Sequence, residues 1–383
     1  MVRSAEKTVE AYLDELNTLV NIDSGSKDLE GIAKIGLYFE KKFSELGWIT
    51  HQVNIGEECG LCWEMGNSRS EDIDVLLLGH LDTVFPHGTA RERAFKVEGS
   101  KAYGPGVADM KGGLLLGYYA LKTLQENNRL TGTNVCFAFN SEEELSSTHT
   151  RSWLEKLARR SKLVLVLEPG RPNGTLVNTR KGVARYQLEF RGISAHSGAN
   201  PEKGASAIGE LGRWIVELHN LTDFAKGTTV NVGVVAGGTA VNVVAERASA
   251  MVDLRFSELS EFSKVDGTIH QLMAAPSVPG VKVDVTGGLT RPPMVPNEKT
   301  KALCREIEKM GQENGMDIKW TATGGGSDGN FSAALGIPTI DALGPVGIGA
   351  HSPNEYIDIS SIPLRLQLLQ EIIARGTRGE NVC

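Results

Sequence analysis

Residues 74–80 read DVLLLGH: an aspartate, four apolar residues without a break, then glycine and histidine. A run this short and continuously apolar reads as a strand buried on both faces, as in a parallel sheet covered by helices. Two runs like it follow, NVCFAFN at 134–140 and KLVLVLE at 162–168. Helical patterns separate them, from about Gly112 to Gln125 and from Arg151 to Ala158. Upstream, MVRSAEKTVEAYLDELNTLV sets Val9, Leu13, Leu16 and Leu19 on one helical face. A second helix follows near Gly31 to Leu46, then a strand near Val53. Apolar strands alternating with helices predict an α/β fold: a largely parallel sheet with helices on both faces.

The pattern changes near Lys181. ARYQLEFRG alternates apolar and polar residues, as a half-exposed strand does. A helix from about Glu202 to Asn220, strands TTVNVGVVAGG and ERASAMVDLRF, a helix from about Glu258 to Met273 and a strand VKVDVTGG complete the order βαββαβ. That order predicts a split α+β unit with an antiparallel sheet. From about Pro296 the helix-strand alternation resumes and ends in IPLRLQLLQEIIARG. At 383 residues the chain exceeds one ordinary core. The expected organisation is a catalytic domain in two parts, 1–180 and 294–383, interrupted by an inserted domain at 181–293.

Composition narrows the partners. A formal net charge of −7 with no basic stripe argues against nucleic acid. No apolar run is long enough to span a bilayer, so no membrane partner is expected. The first residues lack the basic-then-apolar layout of a secretory signal, which makes a cytoplasmic location the default expectation. Five scattered cysteines suit a reducing compartment. Cys59 and Cys62 form a C-x-x-C, but no second pair accompanies it. Two half-buried thiols are the favoured reading, against a redox or metal role.

Five segments then place metal-ligand residue types at the ends of expected strands, the edge where open parallel sheets build their sites. GHLDTV offers the His80 imidazole; Asp82, two residues on along an extended chain, projects the same way and suits the other ring N–H. In YGPGVADMKGG, Asp109 stands just before a helix, and its two carboxylate oxygens suffice to bridge two cations. FNSEEELS carries Glu142, Glu143 and Glu144 after an apolar strand, where a merely solvated charge run is less expected. VLVLEPG ends in Glu168, and GIGAHSPNEYI holds His351 in a glycine-rich loop. Each alone is weak, but two histidines with three or more carboxylates suit a pair of borderline divalent ions, Zn²⁺ above all, with Co²⁺ or Mn²⁺ as alternatives.

Taken in order, GHLDTV, YGPGVADMKGG, NSEEE, LEPG, SAHSG and GAHSPNEY resemble the motifs of the zinc aminoacylase/carboxypeptidase family, and within it the glutamate carboxypeptidase branch. The resemblance spans nearly the whole chain. It implies that Asp109 bridges two metals, His80 and Glu168 completing one site and Glu144 and His351 the other. Glu143 would be the general base, and the Asp109–Met110 peptide would be cis. It further implies that the inserted domain is a lid and dimerisation domain, making a homodimer the expected assembly. There, His196 in SAHSG would help hold the oxyanion, reaching the partner's site. Asn242 in GGTAVNVV would contact substrate or oxyanion, and Arg291 in GLTRPPM would grip the substrate carboxylate. In GGGSDGN, which lacks the lysine of a phosphate loop, the Gly325 and Gly326 N–H groups would face that carboxylate. Arg255 reads more readily as a structural ion pair.

Two departures concern local geometry. Ser146 stands where many relatives have glycine, and Glu142 where aspartate is common. The implied activity is cleavage of an amide next to a free carboxylate, releasing a C-terminal amino acid, with glutamate one candidate, from a peptide or N-acyl substrate. An N-acyl amino acid deacylase is the near alternative, and a non-catalytic binding protein with the same fold a distant one.

Overall fold

In strand Ile73–His80, Val75 and Leu77 join one apolar cluster and Leu76 and Leu78 another. Successive strand side chains point to opposite faces, so a strand apolar at every position must be covered twice. The computed structural model, which describes residues 2–375 with side chains from Lys7 onward, shows both covers. On one face Leu114 and Tyr118, from helix Gly112–Glu126, pack with a stack of Phe39, Phe43, Phe137 and Phe139. On the other lie Trp153, Leu154 and Leu157 of helix Arg151–Arg159, with Phe331.

The chain divides into two compact units, one of residues 1–179, 294–323 and 327–383, the other of residues 180–293 with 324–326. In the first, six strands form a sheet in the order Ile49–Val53, Cys62–Gly66, Val135–Asn140, Ile73–His80, Ser161–Val166, Thr339–Ile340. The last four run parallel, and the first two are added antiparallel at one edge. The sheet is therefore mostly parallel rather than wholly so. Strand Cys62–Gly66 was not expected, its length and Gly66 leaving little pattern to read. The register pairs His80 with Asn140 and Leu78 with Val166, so three strands finish side by side. Residues just beyond them meet at one edge. Close packing sets that edge: a Cβ on Gly113 would stand 2.0 Å from the Leu167 carbonyl oxygen.

The second unit is an antiparallel sheet in the order Thr229–Gly237, Arg247–Phe256, Gly182–Arg191, Lys282–Arg291, with helices Ala207–His219 and Leu259–Ala274. Its chain order is strand-helix-strand-strand-helix-strand. Ala184, Tyr186, Leu188 and Phe190 are buried while Arg185, Gln187 and Arg191 between and beyond them are exposed. One helix starts later than its pattern suggested. Pro201–Lys203 is a separate 3-10 turn, and the helix begins after Ser206, whose hydroxyl accepts the Gly209 N–H at 3.0 Å. Gly324–Gly326 groups with this unit rather than with the C-terminal part, because Arg180 Nη1 donates to the carbonyls of Gly325 (3.1 Å) and Gly326 (3.3 Å). Among the described residues no helix is long and apolar enough to cross a membrane.

Candidate metal centre

His80 closes the central strand with its ring 1% exposed. Its Nδ1 lies 2.9 Å from the Asp82 main-chain oxygen and 3.3 Å from Asp82 Oδ1. Two acceptors on that side leave Nε2 as the free lone pair, aimed at Asp109 Oδ1 (3.1 Å) and Glu168 Oε1 (3.8 Å). The Asp82 carboxylate does more than orient the ring. Oδ1 accepts the Glu143 N–H at 3.1 Å, and Oδ2 accepts the Glu144 N–H at 3.2 Å and the Ser26 hydroxyl at 2.7 Å. One buried carboxylate thus ties the strand end bearing His80 to the turn bearing both glutamates.

Asp109 precedes helix Gly112–Glu126, and the Asp109–Met110 peptide is cis. Its surroundings are held by a residue overlooked in the sequence. Glu355, 1% exposed, accepts N–H groups from Gly106 (2.9 Å), Ala108 (2.8 Å) and Asp109 (2.9 Å). Glu355 lies within HSPNEY, a motif read only for its histidine, and a glutamate's burial leaves no mark in sequence. Gly106 has φ +71°, and a Cβ there would stand 2.6 Å from Thr83 Cγ2, so only glycine fits.

Glu143–Leu145 is a 3-10 turn closed by Ser146 at φ +70°. A left-handed conformation that ordinarily favours glycine is therefore taken by a serine. Glu144 Oε2 lies 3.2 Å from His351 Nε2, which is also 3.2 Å from Asp109 Oδ2. His351 itself has φ +63° and a side chain 54% exposed.

The structure thus brings all five expected ligands together as two triads sharing one member. His80, Asp109 and Glu168 form one and Asp109, Glu144 and His351 the other, with donor atoms within 4.8 Å of one another in each. Asp109 contributes a different oxygen to each histidine. The charges show what the arrangement lacks. Burial would raise the Asp109 pKa, but hydrogen bonds from His351 and His80 outweigh it and hold the carboxyl well below its usual range. His351 is pushed up to about 11 by its bonds to Asp109 and Glu144. Burial opposes charge on His80, yet Asp109 and Asp82 raise its pKa. Burial raises Glu144, whose Oε1 is buried with no hydrogen-bond partner. Two imidazoles converging on acidic oxygens, with one carboxylate oxygen orphaned, suit cations better than protons.

The remaining candidates lie in the second unit. His196 and Asn242 are exposed and on paired segments: Ser197 N–H donates to the Asn242 carbonyl at 3.0 Å, and His196 bridges Val243. His196 Nδ1 accepts the N–H groups of Gly198 and Ala199, both at 3.1 Å. Arg291 ends its strand 3% exposed, and a Cβ on Gly326 would stand 2.7 Å from Arg291 Cδ. Arg255 makes a two-point pair with Asp253, at 2.7 and 2.9 Å, which is a structural role.

The chain is similar to known proteins over most of its length. The chain is 32% identical over 371 residues to carboxypeptidase G2 of Pseudomonas sp. (strain RS-16), covering 95% of this chain and 88% of that one. It is 28% identical over 330 residues to acetylornithine deacetylase of Proteus mirabilis, covering 81% and 79%. A tripeptidase structure from Staphylococcus aureus superposes with a TM-score of 0.78 at 23% identity, covering 97% and 99%, which shows the shared fold. Residues 76–375 match the profile of peptidase family M20/M25/M40, and the chain belongs to that family of hydrolases.

Proposed function

We propose that the protein is a two-metal hydrolase that cleaves an amide bond next to a free carboxylate and releases a C-terminal amino acid from a peptide or N-acyl substrate. The observation that carries the reading is Asp109, whose two oxygens face His80 at 3.1 Å and His351 at 3.2 Å. Two cations, Zn²⁺ by donor chemistry with Co²⁺ or Mn²⁺ as substitutes, would supply an acidified water and a Lewis acid for the scissile carbonyl. His80 and Glu168 would hold one and Glu144 and His351 the other, with Asp109 offering an oxygen to each. Glu143 takes the proton of the attacking water and passes it to the leaving amine nitrogen. Asp82, bonded to both the Glu143 and Glu144 N–H groups, sets the base relative to the ligand beside it.

His196 supports an oxyanion role through its tautomer. Two backbone donors occupy Nδ1, so the neutral ring carries its proton on Nε2, free to donate. Asn242 stands beside it as a second donor. Arg291 grips the substrate carboxylate at two points, with the Gly325 and Gly326 N–H groups around it. The inserted unit acts as lid and dimer interface, with the partner subunit's His196 serving this chain's site. Supporting a dimer, strand Thr229–Gly237 lies at a sheet edge with Val234 and Val235 58% and 54% exposed, an edge suited to a second copy.

The test is a hydrolysis screen over aminoacyl-glutamates, other N-acylated amino acids and short peptides, with chelated protein as control. Metal-dependent release of a free amino acid is expected, and none from any substrate would end the reading. Glu143→Gln should keep its metal and lose roughly 10²-fold or more in kcat. Unchanged turnover would remove Glu143 as base. The similarity to acetylornithine deacetylase favours a second reading, an N-acyl amino acid deacylase. Higher kcat/KM on N-acetyl amino acids than on peptides would select it.

A further inference from the structure

Glu142 takes no part in the chemistry above, yet it is 2% exposed and heavily engaged. Its Oε1 accepts the Thr150 N–H at 2.8 Å and hydroxyl at 3.2 Å, and Oε2 meets His149 Nδ1 at 2.8 Å. Cys59, 6% exposed, completes the group. Donor atoms of Cys59, Glu142 and His149 all lie within 4.8 Å of one another. Cys59 is delivered by an anchored segment: Ser141 donates to the Gly60 carbonyl at 2.7 Å and lies 3.3 Å from Cys62 Sγ.

Thiolate, imidazole and carboxylate are three of the donor types zinc prefers. Zinc–ligand lengths of about 2.0–2.3 Å set the donors of a tetrahedral site within about 4 Å of each other, which small side-chain rotations here would reach. His149 is 44% exposed, so the fourth position opens to water.

We propose that Cys59, Glu142 and His149 form a third cation site, for zinc or another thiophilic divalent ion, separate from the Asp109 centre. Binding releases the Cys59 thiol proton to solvent, shifts the His149 ring proton from Nδ1 to the other nitrogen, and replaces the Glu142–His149 hydrogen bond with two metal–ligand bonds. The ion cross-links three stretches of chain: the 59–62 segment, the residue preceding the general base, and the start of the loop into helix Arg151–Arg159. It therefore acts as a brace on the turn that presents Glu143 and Glu144. The site does not depend on the dinuclear reading, because it shares no ligand with it.

Sulfur makes the two separable. The Asp109 centre offers only nitrogen and oxygen donors, so a thiolate-to-cobalt charge-transfer band in the near ultraviolet reports this site alone. Metal-free full-length protein titrated with Co²⁺ should develop that band to one equivalent. It should persist in Cys62→Ser and in Asp109→Asn, and vanish in Cys59→Ser and in the exposed-site variant His149→Asn. Zinc-loaded His149→Asn should hold one zinc fewer than wild type by elemental analysis. No band in the wild type, a band surviving Cys59→Ser, or one lost in Cys62→Ser would each overturn the assignment.

Discussion

The two histidines of the Asp109 centre are built in opposite ways. His80 ends a strand buried on both faces, is 1% exposed, and has its rear nitrogen held by Asp82. His351 sits on a glycine-rich loop in a left-handed conformation, with 54% of its side chain open to water. A ligand whose rotamer is locked by packing loses little entropy when a cation arrives. A loop ligand must be ordered by the binding itself. The fold thus prepares the His80 half of the centre, and a bound cation would complete the His351 half.

That contrast can be broken or sharpened by experiment, starting with the residue both halves share. Asp109→Asn removes a charge from each triad. Both equivalents of metal held by the Asp109 centre and all turnover above background should go, leaving only an ion that shows the thiolate band, and retention of either of the two would show that the halves do not share this carboxylate. Next, the halves should part company under a chelator. The first cation should leave at lower chelator concentration than the second, and His351→Ala should abolish only that first phase. A single phase in the wild type would mean that the halves are equivalent. Third, Asp82→Asn leaves every ligand in place but disturbs the His80 ring and the glutamate turn. Outer partners of this kind cost about 10–100-fold in metal affinity or activity, and an unaltered protein would reduce Asp82 to packing.

The smallest expected effect is on pH dependence without metal. His351 is raised from 6.5 to about 11 by Asp109 and Glu144. A folded pKa above the unfolded value adds stability that is complete below about 6.5 and disappears as pH climbs toward about 11. Chelated protein should therefore lose resistance to denaturant across the alkaline range, and His351→Asn should flatten that decline. An equally steep decline in the variant would assign the slope to other groups.

Much of the fold and of the candidate site was legible because each candidate ligand stands where a change of pattern can be seen. His80, Glu144 and Glu168 follow continuous apolar runs, and Asp109 and His351 are set among glycines. The doubly covered sheet was readable for the same reason, since Val75 to Leu78 offer no polar face. What stayed hidden is what depends on burial across the sequence. Glu355 looks like any loop glutamate until three N–H groups converge on it, 246 to 249 residues away in the chain. Cys59 and His149 stand far apart in sequence, so nothing local announces their meeting. The Asp82 carboxylate was expected to serve the imidazole alone, and its bonds to the 143–144 backbone appear only in three dimensions.

Strands 73–80, 135–140 and 161–166 end together at one edge of the sheet. In a sheet, a slip of one residue turns every side chain to the opposite face. The apolar pairing deep in the molecule is therefore also the gauge that keeps His80 level with the turn after Asn140. A substitution such as Leu76→Thr, remote from any ligand, would be felt as a loosened grip on metal before it was felt as unfolding.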